Sequence, residues 1–378
     1  MASDSIFLIR DEGRLQRVEH QLYASEELLQ NLISSYPEIL AGDQIDPDQP
    51  PKWLLLKQEA AVPDSADSTG RWFIDHLLLD QFGVPTFVEV KRSTDSRIRR
   101  EVIGQMLDYV ANGTAYWGVG KMRQMLSEGA GSAEAGDARV AEHLSLIDEP
   151  ELVAQQVEKF WQLVDLNMRE GNVRLLFVAD ELPRELRRLI EFLNEHFSKI
   201  EVLGVELRQY VGQGVRALVP RVVGQTELIR ERKERSAGGG AGSAPKTNRE
   251  SFLAAVGPVA APHVDAALKA AATSGYEVSW GTQGFSLRLK IGGKLMSVIY
   301  GYPPNSMGPY ATLEAYLAYL PTEAHKGALA SLFAPLPGFK RVTEKTIRCA
   351  LSPDTAADAN ATAEAIRQAP RTLASLSP

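Results

Sequence analysis

The sequence predicts an α/β protein: a mixed sheet flanked by helices, with a helical insertion, followed by a smaller C-terminal α+β domain. Three observations predict it. Helix-like and strand-like segments follow the order α-β-β-β-α-(helical insertion)-β-α-β-β, a pattern that builds a mixed sheet with helices on its faces. One segment, Val173–Ala179, is a nearly continuous apolar run, as expected of a strand covered on both faces. The Gly/Ala/Ser-rich stretch SAGGGAGSAPKTN (Ser236–Asn248) has no large apolar residue to anchor it and reads as a flexible linker. The expected domains are residues 1–235, with the insertion at about 113–172, a linker at 236–248, and residues 249–378.

Taken in order, Ile6–Ile9 and Leu15–Val18 read as short strands around the turn Asp11–Gly13. A helix is predicted over Ser25–Tyr36, with Ser25 as N-cap and Pro37 beyond its end. Trp53–Ala60, Trp72–Asp80 and Pro85–Arg92 are rich in Leu, Val, Ile, Phe and Trp and read as strands. Arg97–Ala111 reads as a helix. Thr114–Glu170 is mostly helical, with SEGAGSAEAGD (Ser127–Asp137) as a surface loop. After Val173–Ala179 come a helix at Pro183–Phe197 and strands at Val202–Tyr210 and Val215–Val222. Beyond the linker, helical segments at Arg249–Ala255 and Pro262–Ser274 end at Gly275. Strands are expected at Tyr276–Trp280, Phe285–Ile291 and Lys294–Tyr300, the last two joined by a Gly292-Gly293 turn. Helices are predicted at Ala311–Tyr319 and Thr322–Phe333.

Composition narrows the function classes. At 378 residues, with 44% hydrophobic and 24% charged, the chain suits two or three globular domains and excludes global disorder. No run approaches 18 uncharged apolar residues, and the N-terminus lacks a signal-peptide pattern. We therefore expect a cytoplasmic protein without a membrane partner. A single cysteine, Cys349, excludes intrachain disulfides and Cys-based zinc sites. The net charge of −7 argues against nucleic acid, yet it is uneven. From Lys246 onward there are 13 Lys and Arg against 9 Asp and Glu, leaving 28 against 39 in the first 245 residues.

The richest stretch is Trp72–Val110. Side chains alternate along a strand, so Glu89 and Lys91 share one face while Val88 and Val90 point to the other. In the preceding strand Asp75 is a lone carboxylate between Phe73, Leu77 and Leu79, and His76 alternates away from it. A three-residue loop, Gln81–Gly83, pairs Asp80 with Val84 and sets Asp75 opposite Glu89; a four-residue loop would part them. We expect the register that joins them. Opposed carboxylates repel unless a proton or cation intervenes, and a hard divalent cation with oxygen ligands suits them, Mg²⁺ best. With Lys91 they make a site for a metal-activated water and a charged transition state. On the following helix Ile98, Val102, Gln105 and Tyr109 form one stripe, with Gln105 and Tyr109 directed at the sheet. On the first helix Glu26 lies on the apolar stripe with Leu22, Leu29, Ile33 and Tyr36, whereas Glu27, Gln30, Asn31 and Ser34 form the polar face.

Asp75, Glu89-x-Lys91 and Gln105-x-x-x-Tyr109, in the order α-β-β-β-α, resemble the PD-(D/E)xK nuclease superfamily, and the Gln/Tyr element resembles its RecB-like branch. The segment Glu26–Leu40 is similar to the first helix of related endonuclease-like proteins. Ile74, not proline, precedes Asp75. The resemblance spans residues 20–225 and implies a restriction-endonuclease-like fold in that part of the chain. It implies that Asp75, Glu89, the Val90 carbonyl and Glu26 bind Mg²⁺, with Mn²⁺ as a substitute. It also implies that Lys91 is catalytic, and that Gln105 and Tyr109 act on DNA or orient the site. Arg92, Arg97, Arg99 and Arg100 are expected nucleic-acid contacts. The C-terminal domain lies outside the resemblance and is expected to select a substrate or a protein partner; a homodimer is compatible with the sequence.

Glu-x-Lys alone is a weak signal: a second one, Glu231-Arg232-Lys233, lies in the polar run RERKER. The competing account of Asp75, Glu89 and Lys91 is a structural salt-bridge network, and the competing function is a catalytically silent binding or regulatory protein, for example in bacterial defence.

Overall fold

The structure is a computed structural model that describes residues 4–10, 13–47, 49–63, 72–95, 101–146, 150–225, 247–281, 284–304, 308–355 and 357–376. The chain divides into two compact units. The first comprises Met1–Ile45, Pro51–Arg139 and Trp161–Ser243; the second comprises Asp46–Pro50, Val140–Phe160 and Ala244–Pro378. Part of the segment expected as an insertion in the first domain, Val140–Phe160, therefore groups with the second. Most of the expected linker and the charge run Arg230–Arg235 lie outside the described residues.

The first unit carries an eight-stranded mixed sheet. Its strands are β1 (Ser5–Ile9), β2 (Leu15–His20), β3 (Leu54–Val62), β4 (Trp72–Leu79), β5 (Pro85–Lys91), β6 (Val173–Ala179), β7 (Ile200–Gly212) and β8 (Val215–Val223). The order is β1-β2-β7-β6-β5-β4-β3, with β8 also on β7. The β5–β6 and β6–β7 pairs are parallel; the others are antiparallel. Every residue of β5 and β6 is buried, which accounts for their apolar runs.

Helix α1 (Glu26–Ser35) is capped by the Ser25 side chain, which accepts the Leu28 N–H. Its Leu29 and Ile33 pack with Leu78, Val88, Val90, Leu176, Val178 and Leu203 on one sheet face. A short helix, α2 (Gly42–Ile45), follows. Helix α3 (Glu101–Tyr116) lies on the other face: Gly113 stands so close to the Phe87 ring that a Cβ there would lie 3.0 Å from it. The helical run continues as α4 (Val119–Ala130), α5 (Ala133–His143) and α6 (Pro150–Glu170). The loop expected at Ser127–Asp137 shrinks to two residues, because left-handed Gly131 (φ 94°) ends α4 and α5 begins at Ala133. Helix α7 (Arg184–His196) sets Ile190 against Gly204 of β7.

The second unit holds an antiparallel sheet in the order β13-β14-β12-β11-β10-β9. Its strands are β9 (Glu277–Trp280), β10 (Phe285–Ile291), β11 (Lys294–Tyr302), β12 (Thr312–Tyr316), β13 (Phe339–Thr343) and β14 (Thr346–Ala350). Gly292 and Gly293, at φ 58° and 84°, make the β10–β11 turn that the sequence predicts. Helices α8 (Arg249–Ala272), α9 (Glu323–Phe333) and α10 (Ala359–Ala374) share its core, with Phe252, Leu329 and Ile366 packed with Phe285, Leu313 and Ile347. The two helical segments expected at Arg249–Ala255 and Pro262–Ser274 are joined into α8 across a kink at Gly257. Helix α8 is long and apolar enough to cross a membrane, but a third of its apolar window is already buried and Phe252, Val264 and Ala271 pack into this core.

One expectation is overturned here. Ala311–Tyr319 does not form a helix; Thr312–Tyr316 is β12, paired on one side with β11 and on the other with β14. Ala, Leu and Glu favour helices, but a central place in a sheet satisfies the backbone on both sides and overrides that preference. Glu314 of β12 is buried and paired with Arg348 of β14 at 2.7 Å; Arg348 also donates to the carbonyls of Leu144 and Ser145.

Candidate active site

The site begins with the turn between β4 and β5. The Asp80 carboxylate accepts the N–H groups of Phe82 (3.0 Å) and Val84 (2.9 Å), and Gly83 takes φ 70°. The buried Arg174 guanidinium holds the other Asp80 oxygen at 3.1 Å. This three-residue loop fixes the register Leu79↔Pro85, Leu78↔Thr86, Leu77↔Phe87 and His76↔Val88. The β4–β5 ladder stops at His76↔Val88, while β4 continues along β3 and β5 along β6. The two strands thus fork, and Asp75 and Glu89 are the first residues on the two arms.

Main-chain and side-chain contacts tie the fork together. The Val90 N–H donates to Asp75 Oδ2 at 2.6 Å, and Gln30 Nε2 on α1 donates to Asp75 Oδ1 at 2.7 Å. The Lys91 ammonium lies 2.9 Å from Glu89 Oε1, 3.2 Å from Glu26 Oε1 and 4.0 Å from Asp75 Oδ2, and it donates to the Val90 carbonyl at 2.8 Å. The geometry therefore brings together Asp75, Glu89, Lys91, Val90 and Glu26. Glu89 is 4% exposed and its Oε2 is buried without a partner among the described residues.

Burial sets the electrostatics. It raises the Glu89 carboxyl to about 7, helped by the charge of Asp75, with Lys91 only partly offsetting it. Burial likewise raises Asp75 to about 6 against the opposing pull of Lys91 and the Val90 N–H. For Lys91 burial alone would lower the ammonium, but Glu89, Asp75 and Glu26 outweigh it and raise it. Tyr109 of α3 is pushed up to about 12 by burial and by Glu89 and Asp75, so its phenol keeps its proton. One turn earlier Gln105 leaves its Oε1 buried without a partner among the described residues. Arg92 is half-buried, with the same standing for its Nε. Arg97, Arg99 and Arg100 lie outside the described residues.

His76 points away from Asp75, into the α1 face, where its Nε2 meets Ser34 Oγ at 2.9 Å and the Gln30 carbonyl at 3.0 Å. Burial lowers it to about 4, so it is a neutral packed histidine. Here the sequence reading of α1 is corrected: Gln30 and Ser34 do not form a solvent face but contact Asp75 and His76 of β4. Glu26, Gln30 and Ser34 are spaced four apart and make a polar ridge beside the Leu29–Ile33 ridge, and both ridges meet the sheet. Two more residues escaped the sequence. Glu59 lies across β3 from Asp75, between the pairs Gln58↔His76 and Ala60↔Ile74, in a left-handed conformation (φ 50°). Asp180, directly after β6, accepts the Ser93 N–H at 2.7 Å and so holds the chain leaving Lys91. The signal for Asp180 was its place at the end of a buried strand; for Glu59 there was none.

The donors suit a hard divalent cation: carboxylates of Asp75, Glu89 and Glu26, the Val90 carbonyl, and a buried Glu89 oxygen with no partner among the described residues. Yet among the described residues no group of three or more His, Cys, Asp or Glu is drawn together as a metal site. The carboxylates gather instead around the Lys91 ammonium. No family model, no curated protein and no solved structure matches this chain.

Proposed function

We propose that the chain is a nuclease of the PD-(D/E)xK type, hydrolysing phosphodiester bonds, in DNA by preference, with Mg²⁺ as cofactor and Mn²⁺ as a substitute. The observation that carries this reading is the fork: Asp75, Glu89, Lys91, the Val90 carbonyl and Glu26 converge where β4 and β5 part. When bound, the cation would neutralise phosphate charge and lower the pKa of a water. Asp75, Glu89 and the Val90 carbonyl would hold it, with Glu26 at the rim. Gln30 and the Val90 N–H keep the Asp75 carboxylate aimed into the fork. Lys91, released from the carboxylates, would orient the attacking water and stabilise the anionic transition state. Tyr109 stays protonated and can donate a hydrogen bond to a phosphate oxygen. Arg92 follows Lys91 and suits a phosphate contact. The test is a panel of single- and double-stranded DNA and RNA with Mg²⁺ or Mn²⁺; equal cleavage by wild type and Lys91→Ala would sink the assignment.

One observation favours a second reading. The Lys91 ammonium already pairs with one oxygen each of Glu89 and Glu26, so these carboxylates form an ion-pair network without metal. A catalytically silent nucleic-acid-binding or regulatory protein on a nuclease-like scaffold would keep such a network for stability. Thermal stabilisation by Mg²⁺ or Mn²⁺, lost in Glu89→Gln, separates the two readings in favour of the nuclease.

A further inference from the structure

Strand β1 is an edge of the eight-stranded sheet, and among the described residues no strand pairs with its outer side. Natural edges are usually blunted by charge, proline or a bulge. This one has none: Ser5–Ile9 reads SIFLI, and its register with β2 runs unshifted from Ser5↔Glu19 to Ile9↔Leu15. Phe7, Ile9 and Leu15 project from one face of the hairpin at 60%, 77% and 66% exposure.

The hairpin fixes which main-chain groups point outward. The Asp4 carbonyl accepts the His20 N–H at 2.9 Å, and the Arg10 N–H donates to the Arg14 carbonyl at 2.8 Å. Even-numbered residues thus turn their main-chain groups towards β2. In an antiparallel ladder the directions alternate, so Ser5, Phe7 and Ile9 present N–H and C=O to the open edge. The edge is an uncharged template with an exposed acid at one end, Asp4, whose Oδ2 also meets Arg208 at 2.9 Å and the Tyr210 hydroxyl at 3.2 Å, and an exposed base at the other, Arg10, whose Nε donates to Gln16 Oε1.

We infer that this edge pairs with the same edge of a second copy of the chain, antiparallel and centred on Phe7, joining two sheets across a two-fold axis. That register sets Ser5 against Ile9 of the copy and Phe7 against its own counterpart, so all three outward residues form ladder bonds, ~6 in total. It also sets Asp4 against Arg10 of the copy in the adjoining pairs, whose side chains stand closest. Parallel pairing would oppose like charges at both ends. Phe7, Ile9 and Leu15 gain cover that the isolated chain does not give them. The inference is independent of the nuclease reading.

Sedimentation equilibrium of the full chain tests it. Wild type dimerises. Phe7→Pro removes an outward N–H without touching a β2 bond, and it weakens the dimer at least about tenfold in Kd, the factor set by ~1.4 kcal/mol. Asp4→Arg and Arg10→Asp each weaken self-association, and an equimolar mixture of the two restores it as a heterodimer, because both end pairs become complementary again. Asp4→Arg also removes the acceptor of Arg208 and Tyr210, so the thermal midpoint of each variant reports its folding and the mixture, not the single variant, decides the end pairs. A wild type that stays monomeric at about 100 μM, far above the Kd of a specific dimer, overturns the proposal. So does a Phe7→Pro chain that assembles as tightly as wild type, or a mixture no tighter than its components.

Discussion

The Val90 N–H donates to Asp75 Oδ2 at 2.6 Å, across the point where β4 and β5 stop pairing as a ladder. A side chain thus takes over where the main-chain ladder ends, and the carboxylate is fixed by the strand that carries Glu89 and Lys91. Four consequences can be measured.

Lys91 is ion-paired with buried Glu89 and with the partly buried Glu26 and Asp75. Lys91→Met should abolish cleavage in the nuclease assay and cost about 3 kcal/mol at pH 8, since removing one partner leaves the other charges buried. Urea unfolding measures the cost. It should shrink at pH 5, where Glu89 and Asp75, raised by burial, are protonated. A cost that does not change with pH would contradict the assignment of the cluster.

The same carboxyls tie stability to pH. In the unfolded chain they titrate near about 4, so between there and their folded values of about 6 and 7 the folded state binds more protons. Their contribution is complete below about pH 4 and is lost as pH rises through 6 to 7. The urea midpoint of wild type should fall across that window. Asp75→Asn with Glu89→Gln should flatten the slope; an unchanged slope would place the titration elsewhere.

Gln30 aims Asp75 from α1. Gln30→Ala should lower metal-dependent cleavage about tenfold while changing stability by only about 1 kcal/mol, the net worth of one hydrogen bond. Gln30→Glu should do worse than alanine, because it sets a carboxylate 2.7 Å from Asp75 Oδ1 in place of a donor. Comparing cleavage rate with the unfolding midpoint separates aiming from folding.

Asp80 fixes the register from the far end of the hairpin. Asp80→Ala strips the Phe82 and Val84 amides of their acceptor and leaves Arg174 with Glu201 as its remaining carboxylate partner. A loss of about 3–5 kcal/mol by thermal or urea unfolding is expected for breaking a buried pair. A loss below 1 kcal/mol would mean the loop holds its register without the carboxylate.

Much of this was legible from local pattern. The three-residue loop Gln81–Gly83 and strand alternation placed Asp75 with Glu89 and Lys91, and parted His76 from them, because covalent geometry alone sets a period of two. Ser25 as a cap and Gly292-Gly293 as a turn are equally local, and both are found in place. Other features depended on what lies across space. Thr312–Tyr316 carries helix formers but becomes a strand because β11 and β14 flank it. Gln30 looked solvated because a helical wheel cannot say how wide a face the sheet will cover. The sequence by itself determined which residues share a strand face and hence which charges meet. Only the tertiary structure decided that α1 brings Glu26 and Gln30 to them and that Lys91 sits among the carboxylates, since those positions depend on packing between distant segments rather than on backbone periodicity.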